Sequence, residues 1–247
     1  LMALGFIFGY LGFGHIVFDL MVQRTFFVMT NDVLITIPLF IFMGYVLERS
    51  GVLDRLFRSI LVASGPLRGS LALSTLLTCT IFAMATGIIG ASVTIMGLLA
   101  LPAMMRLKYD KRLATGTIAA GGTLGILIPP SVLLILYAAN AGESIVRLYL
   151  GAFVPGFLLS GLYIAYVVVV SLLRPEAAPA LPKEERNFPV WQILWMLVTG
   201  VLPMSLLIFS VLGSIAFGLA APTEAAAMGG LGALALAAVY RKLTWEN

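Results

Sequence analysis

Gly121-Gly122-Thr123-Leu124-Gly125-Ile126-Leu127-Ile128-Pro129-Pro130-Ser131 lies inside a stretch, 113–142, of thirty residues without a single Asp, Glu, Lys, Arg or His. Upstream, 69–105 is another such run, 37 residues long. Both exceed the ~20 apolar residues that cross a bilayer core. Within lipid every backbone polar group needs an internal partner, so a spanning segment must be a helix or part of a closed barrel. These runs hold Gly, Ala and Leu-type residues without alternating polarity, which selects helices over a barrel. The tandem prolines then matter. They remove two amide donors and push Ile128 out of the helical region, so the span must break there.

Composition agrees. Of 247 residues 61% are apolar and 11% charged, with a mean hydropathy of +1.07, against about 45–50% and roughly 25% in soluble domains. The fold class expected is an all-α polytopic membrane protein. A formal charge of +4 does not point to nucleic acid, because no basic stripe with interleaved aromatics occurs. Cys79 and His15 are each the sole residue of their type. That excludes a disulfide framework and gives no metal-ligand spacing. No nucleophile elbow, HExxH or P-loop is present, so an enzyme is not expected. Residues 1–10 lack a basic n-region and a cleavage site; they read as a span entered part-way, not as a leader.

Charges and breakers place spans at 1–23, 33–48, 113–140, 148–173, 189–210 and 221–240. Between them, 50–64 sets Asp54, Arg55 and Arg58 against Val52, Leu53, Leu56, Phe57, Ile60 and Leu61. This single greasy stripe with a charged back suits a helix in the membrane interface. Residues 174–189, with Pro175, Pro179, Pro182 and Pro189, read as a polar linker. If 49–68, 106–112, 174–186 and 241–242 share one side, that side holds thirteen Lys and Arg, including Lys183, Arg186 and Lys242. The other holds Arg24 and Arg147. The positive-inside rule makes the first side cytoplasmic. Trp191, Trp195 and Trp245 fall near the interfaces, as belt residues do.

On this scheme 69–105 must leave the cytoplasmic face and return. Its centre, Thr86-Gly87-Ile88-Ile89-Gly90-Ala91-Ser92, is its least helix-favouring part. Two full crossings need about 40 residues and a turn. Thirty-seven fits two shorter arms meeting near mid-membrane better, although two tight crossings remain open on length. Irregular backbone at membrane depth is tolerated where it is buried in protein or lines a cavity, and broken helices point to transport sites. Carbonyls near residues 123–125 should lose partners. A desolvated sodium ion, a hard cation, prefers such oxygens. The half-helix starting near Pro130 and Ser131 offers N–H groups to a carboxylate. The alternative is a Pro kink with packing glycines. Glu224 has two readings, a coupling carboxylate within the membrane or a first-turn residue behind Pro222 facing the helix dipole.

Several stretches resemble the large permease subunit of TRAP (tripartite ATP-independent periplasmic) transporters, the DctM-like family. They are Ile37-Pro38-Leu39-Phe40-Ile41-Phe42-Met43-Gly44, Leu47-Glu48-Arg49-Ser50-Gly51, Leu67-Arg68-Gly69-Ser70-Leu71-Ala72, Leu101-Pro102-Ala103-Met104, Tyr109-Asp110, residues 121–131, and Pro222-Thr223-Glu224-Ala225-Ala226. The resemblance implies an inverted-repeat, elevator-type ion-transporter fold with a re-entrant helical hairpin, of which this chain would carry the first repeat and the start of the second. It divides the chain into scaffold spans (1–49), an interfacial arm (50–68), half a transport domain (69–173, with hairpin 69–105 and broken helix 113–140), a cytoplasmic linker (174–188) and scaffold spans of the second repeat (189–247). It implies sodium as coupling ion, held by Thr86, Gly87, Thr123, Gly125, Ile128 and Pro130, with Ser92 and Ser131 toward substrate and no cofactor. Partners implied are a periplasmic substrate-binding protein, a small four-span membrane subunit and an organic anion, in the bacterial inner membrane.

The tip departs from the family's Ser-Gly-Ser pattern: Ile88 stands where a hydroxyl would. That variant tip, with Gly116-Thr117 and Leu172-Leu173-Arg174-Pro175-Glu176, resembles the branch labelled for mannitol or chloroaromatic compounds. A stand-alone sodium/carboxylate symporter of the same superfamily and a non-transporting membrane-complex subunit are the competing readings.

Overall fold

The computed structural model describes residues 2–182 and 188–241. Lys183, Arg186, Lys242 and Trp245 therefore lie outside the described residues. Among the described residues every regular element is helical: α1 (Met2–Phe13), α2 (Ile16–Met29), a 3-10 turn (Asp32–Ile35), α3 (Thr36–Arg49), α4 (Val52–Ser64), α5 (Ser70–Thr86), α6 (Ile89–Arg106), α7 (Lys111–Leu127), α8 (Val132–Ala141), α9 (Ile145–Leu173), α10 (Val190–Ala216) and α11 (Pro222–Val239). Among the described residues, five spans are long and apolar enough to cross a membrane. A sixth forms if α2 and the 3-10/α3 segment, bent by 54°, count as one. The protein is a multi-pass membrane protein.

One expectation for the first fifty residues needs correction. The span placed at 1–23 is two helices, because Gly14 takes a left-handed conformation (φ 63°) that ends α1 and turns the chain. α1 folds onto α2, with Phe6 edge-on to Phe18 at 5.3 Å, and α2 runs on past Arg24 to Met29. The stripe of α4 is covered by protein. Its apolar residues pack on α10 and α5, while Asp54, Arg55 and Arg58 stay exposed. Ser59 Oγ donates to the Met196 carbonyl (2.8 Å), and the Arg55 guanidinium lies over the Tyr240 ring at 4.5 Å.

Small residues set the helix contacts, as they must where no hydrophobic force drives helices together. A Cβ on Gly229 would lie 2.6 Å from Met43 Sδ, and one on Gly230 3.4 Å from Phe42. α11 therefore packs tightly on α3. On Gly200 a Cβ would run into Ser59 Oγ, which closes α10 onto α4.

The polar linker read at 174–189 is in part built in. Ala178 and Leu181 are buried. The carbonyls of residues 177–179 take the amides of Asp110 and Gly69 (3.0 Å each) and the hydroxyl of Tyr109 (2.8 Å). That hydroxyl also accepts from the Leu71 amide at 3.3 Å. Orphan donors at the start of α5 are satisfied this way. The same knot holds the beginnings of α5 and α7 and the end of α6 at one level.

Candidate functional site: a junction of four helix ends

From that knot α5, of 17 residues, rises about 25 Å. It stops at Gly87, which is left-handed (φ 61°) and donates its amide to the Ala83 carbonyl (3.0 Å). Ile88 is extended, and α6 descends from Ile89. The unwound tip expected over 86–92 is therefore two residues wide. Ile89, Gly90, Ala91 and Ser92 already belong to α6, since one left-handed glycine suffices to reverse the chain.

α7 rises beside the arms for the same 17 residues and packs more extensively on each arm than the arms pack on each other. Its glycines make this possible. A Cβ on Gly121 would lie 2.9 Å from Cys79 Sγ on α5, and one on Gly122 would run into Val93 on α6. α7 breaks over residues 128–131. α8 then continues the same 31-residue span for ten residues, roughly 15 Å. The hairpin thus turns back well short of the far end of that span.

The two breaks meet. A Cβ on Gly87 would strike the carbonyl oxygen of Pro130 and come within 3.3 Å of Ser131 Cα; one on Gly125 would lie 3.4 Å from the carbonyl of Ile88. Four helix ends converge there: the C-termini of α5 and α7 and the N-termini of α6 and α8. The Pro129–Pro130 bond is cis. Pro129 and Pro130 bring no N–H, so the carbonyls of Gly125 and Ile126 lack their i+4 donors. Leu124 keeps its donor, Ile128 N at 2.9 Å. The orphans expected at 123–125 are thus at 125 and 126, since Thr123 and Leu124 lie within the intact part of the helix.

The sequence-derived residues fall into two groups. Gly87, Gly125, Pro130 and Ser131 sit at the junction. Ile128, fully buried, is backed by α9, where a Cβ on Gly156 would lie 2.9 Å from its Cγ1. Ser131 Oγ accepts from Leu134 N (3.4 Å) as cap of α8, and Ser92 Oγ donates to Ile88 O (3.2 Å). Thr86, buried, donates to Phe82 O (3.1 Å). Thr123 stands apart: it is exposed on the far face of α7, its hydroxyl donated to Ala120 O (2.7 Å). Glu224 follows its first-turn reading, its carboxylate accepting from Ala221 N at 2.9 Å.

Two residues at this site had no role in the sequence reading. Gly44 of α3 abuts the tip, where a Cβ would lie 3.2 Å from the Thr86 methyl. It lies within the Ile37–Gly44 resemblance, which was the available signal. Tyr149 of α9 is buried with its hydroxyl facing the Ser131 backbone, yet without a well-formed hydrogen bond. A single phenol in an apolar run leaves no pattern to find. Among the described residues no group of three His, Cys, Asp or Glu gathers; the polar groups that the junction presents are main-chain oxygens, amides and hydroxyls.

A broken-helix crossing point of this kind defines a class, the membrane carriers whose helices are interrupted at the site. Within it, the family described as "Tripartite ATP-independent periplasmic transporter, DctM component" matches residues 1–247, and the chain belongs to that family. It is 36% identical over 198 residues to the C4-dicarboxylate TRAP transporter large permease protein DctM of Pseudomonas aeruginosa, covering 79% of this chain and 44% of that protein. With the isethionate TRAP transporter permease protein DctMQ of Oleidesulfovibrio alaskensis it shares 32% over 234 residues, 94% of this chain and 36% of that one. With the ectoine TRAP transporter large permease protein TeaC of Halomonas elongata it shares 30% over 197 residues, 78% and 44%. The chain thus spans less than half the length of these relatives. Their names lend no support to the mannitol or chloroaromatic label. Relatives so named are permeases, a non-enzymatic class, and in bacteria such a multi-pass protein resides in the inner membrane.

Proposed function

We propose that this chain is about half of the membrane-embedded large subunit of a sodium-coupled secondary transporter. It would import organic anions delivered by a periplasmic binding protein, alongside a small four-span membrane subunit. One observation carries the reading: the tip glycine Gly87 lies against the Pro130 carbonyl, bringing two interrupted helices to one point. The C-terminal ends of α5 and α7, with the orphan carbonyls of Gly125 and Ile126, provide negative dipole ends for a cation. Helices α6 and α8 provide positive ends for an anionic group, with Ser92 and Ser131 in or beside their first turns. Relatives named for a C4-dicarboxylate, isethionate and ectoine share substrates bearing a carboxylate or sulfonate, which supports the anionic assignment.

The hairpin, α7, α8 and α9 would form half of a moving transport element, and α3, α10 and α11 part of a scaffold. The glycine-to-methyl contact of Gly44 with Thr86 suits a surface that slides. Sodium-driven uptake by the full-length permease in proteoliposomes, with and without binding protein, tests the proposal. Uptake that needs both sodium and the binding protein supports it. Uptake without the binding protein would favour the stand-alone symporter, and an absence of any sodium effect on uptake or thermal stability the non-transporting subunit.

A further inference from the structure

Between the start of α7 and the end of α9 lies a half-open cavity of about 850 Å³. Its inner wall is apolar, formed by Leu113 of α7 with Val167, Val170 and Leu173 of α9; its mouth carries Arg112 and Arg174. Neither arginine forms an ion pair with a carboxylate among the described residues. The third charge at the mouth is Asp110, whose Oδ1 already accepts the amides of Arg112 (2.8 Å) and Leu113 (3.1 Å) as cap of α7. Thr117 contributes to the wall but is only 5% exposed, and its Oγ1 is itself buried, so the polar groups open to a ligand are those at the mouth.

We infer that this cavity is a binding site for an anionic phospholipid, the headgroup phosphate held by Arg112 and Arg174 and an acyl chain laid along the apolar wall. The inference is independent of the sodium and substrate assignment, since the cavity lies near the opposite end of α7 from the junction. Charge complementarity selects the ligand: two guanidinium groups without a carboxylate partner among the described residues line the mouth of a groove with apolar walls, on the side the positive-inside rule makes cytoplasmic. Basic pockets between spans on that side take acidic lipid headgroups, and Arg matches phosphate with two parallel donors. The apolar wall from Tyr163 to Leu173 runs roughly 15 Å along α9, room for much of one chain. A soluble organic anion would leave that wall wet.

The test uses full-length permease in nanodiscs of phosphatidylcholine with increasing phosphatidylglycerol, reading the thermal unfolding midpoint. For the wild type the midpoint rises and saturates with phosphatidylglycerol. In Arg112→Gln/Arg174→Gln the half-saturating fraction moves up about tenfold, since each basic residue at the surface contributes to anionic-lipid attraction. Gly116→Phe fills the groove and removes the response. A Cβ on Gly116 meets nothing within 4 Å, so the new side chain starts in open space, and a Gly116→Phe protein that unfolds cooperatively decides the matter if the arginine variant does not fold. An unaltered response in Gly116→Phe overturns the inference. So does a flat response in the wild type, which would mean that protein fills the groove. Equal protection by soluble glycerol 3-phosphate would assign a free-phosphate site and overturn the lipid.

Discussion

Replacing Gly87 by alanine should force the two broken helices apart. Gly87 holds a φ of 61°, a left-handed conformation that costs an L-residue about 1–2 kcal/mol. The new methyl would also overlap the Pro130 carbonyl oxygen, a backbone atom fixed by two prolines and unable to swing aside. Overpacking of this kind costs about 1–3 kcal/mol. The sum is roughly 2–5 kcal/mol, which lowers the unfolding midpoint of the full-length permease by about 4 °C or more and abolishes sodium-dependent uptake. Gly97→Ala is the control. It lies in α6, where a Cβ meets nothing within 4 Å, and alanine favours a helix over glycine by about 1 kcal/mol. Scanning fluorimetry and proteoliposome uptake on the two variants side by side provide the assay. If Gly87→Ala matched Gly97→Ala in both, the tip would not touch the prolines and the reasoning would fail.

Other consequences follow from the same contacts. At Gly125 a methyl meets the Ile88 carbonyl at an ordinary 3.4 Å, so alanine should retain uptake while leucine abolishes it with membrane insertion intact; retained uptake in Gly125→Leu would count against the junction. Tyr109→Phe removes both hydrogen bonds that its hydroxyl makes, to Pro179 O and from Leu71 N, and should cost about 1–3 kcal/mol, read by thermal unfolding. Burial pushes the Tyr109 phenol up to about 12, above the ~10 of an unfolded chain. Its contribution is therefore full below pH 10 and is lost as pH rises toward 12, a slope that Tyr109→Phe should lack. Gly200→Ala drives a methyl into Ser59 Oγ and to 3.0 Å from Arg55 O; it should destabilise by about 1–3 kcal/mol, whereas Gly161→Ala, with open space around it, should not.

What the sequence made legible was whatever covalent chemistry dictates. Pro129-Pro130 must break α7 whatever surrounds it, and the break lies where two prolines put it. The run 69–105 had to turn at its least helical point, and it does, at Gly87. Less legible was how narrow that turn is, because Gly90 and Ser92 disfavour a helix only weakly and packing on Val93 and Ile88 overrides them. The first span was misjudged because Gly14 in a glycine-rich apolar run looks the same whether it packs or turns. Amphipathicity in α4 was real, but periodicity cannot tell lipid from a protein neighbour as the cover for a greasy stripe. Thr123 illustrates the limit for sites. Its hydroxyl is in the right stretch, yet two residues along a helix is about 200° of rotation, which leaves it on the opposite face from Gly125.

On the proposed function, the Gly87–Pro130 contact builds a cation site from main-chain oxygens. Equilibrium binding of radioactive sodium to purified full-length permease measures this without substrate, binding protein or membrane gradient. Saturable sodium binding is expected in the wild type, retained in Gly97→Ala and lost in Gly125→Leu. Wild-type protein that binds no sodium, or a Gly125→Leu variant that binds it as tightly as the wild type, would contradict it.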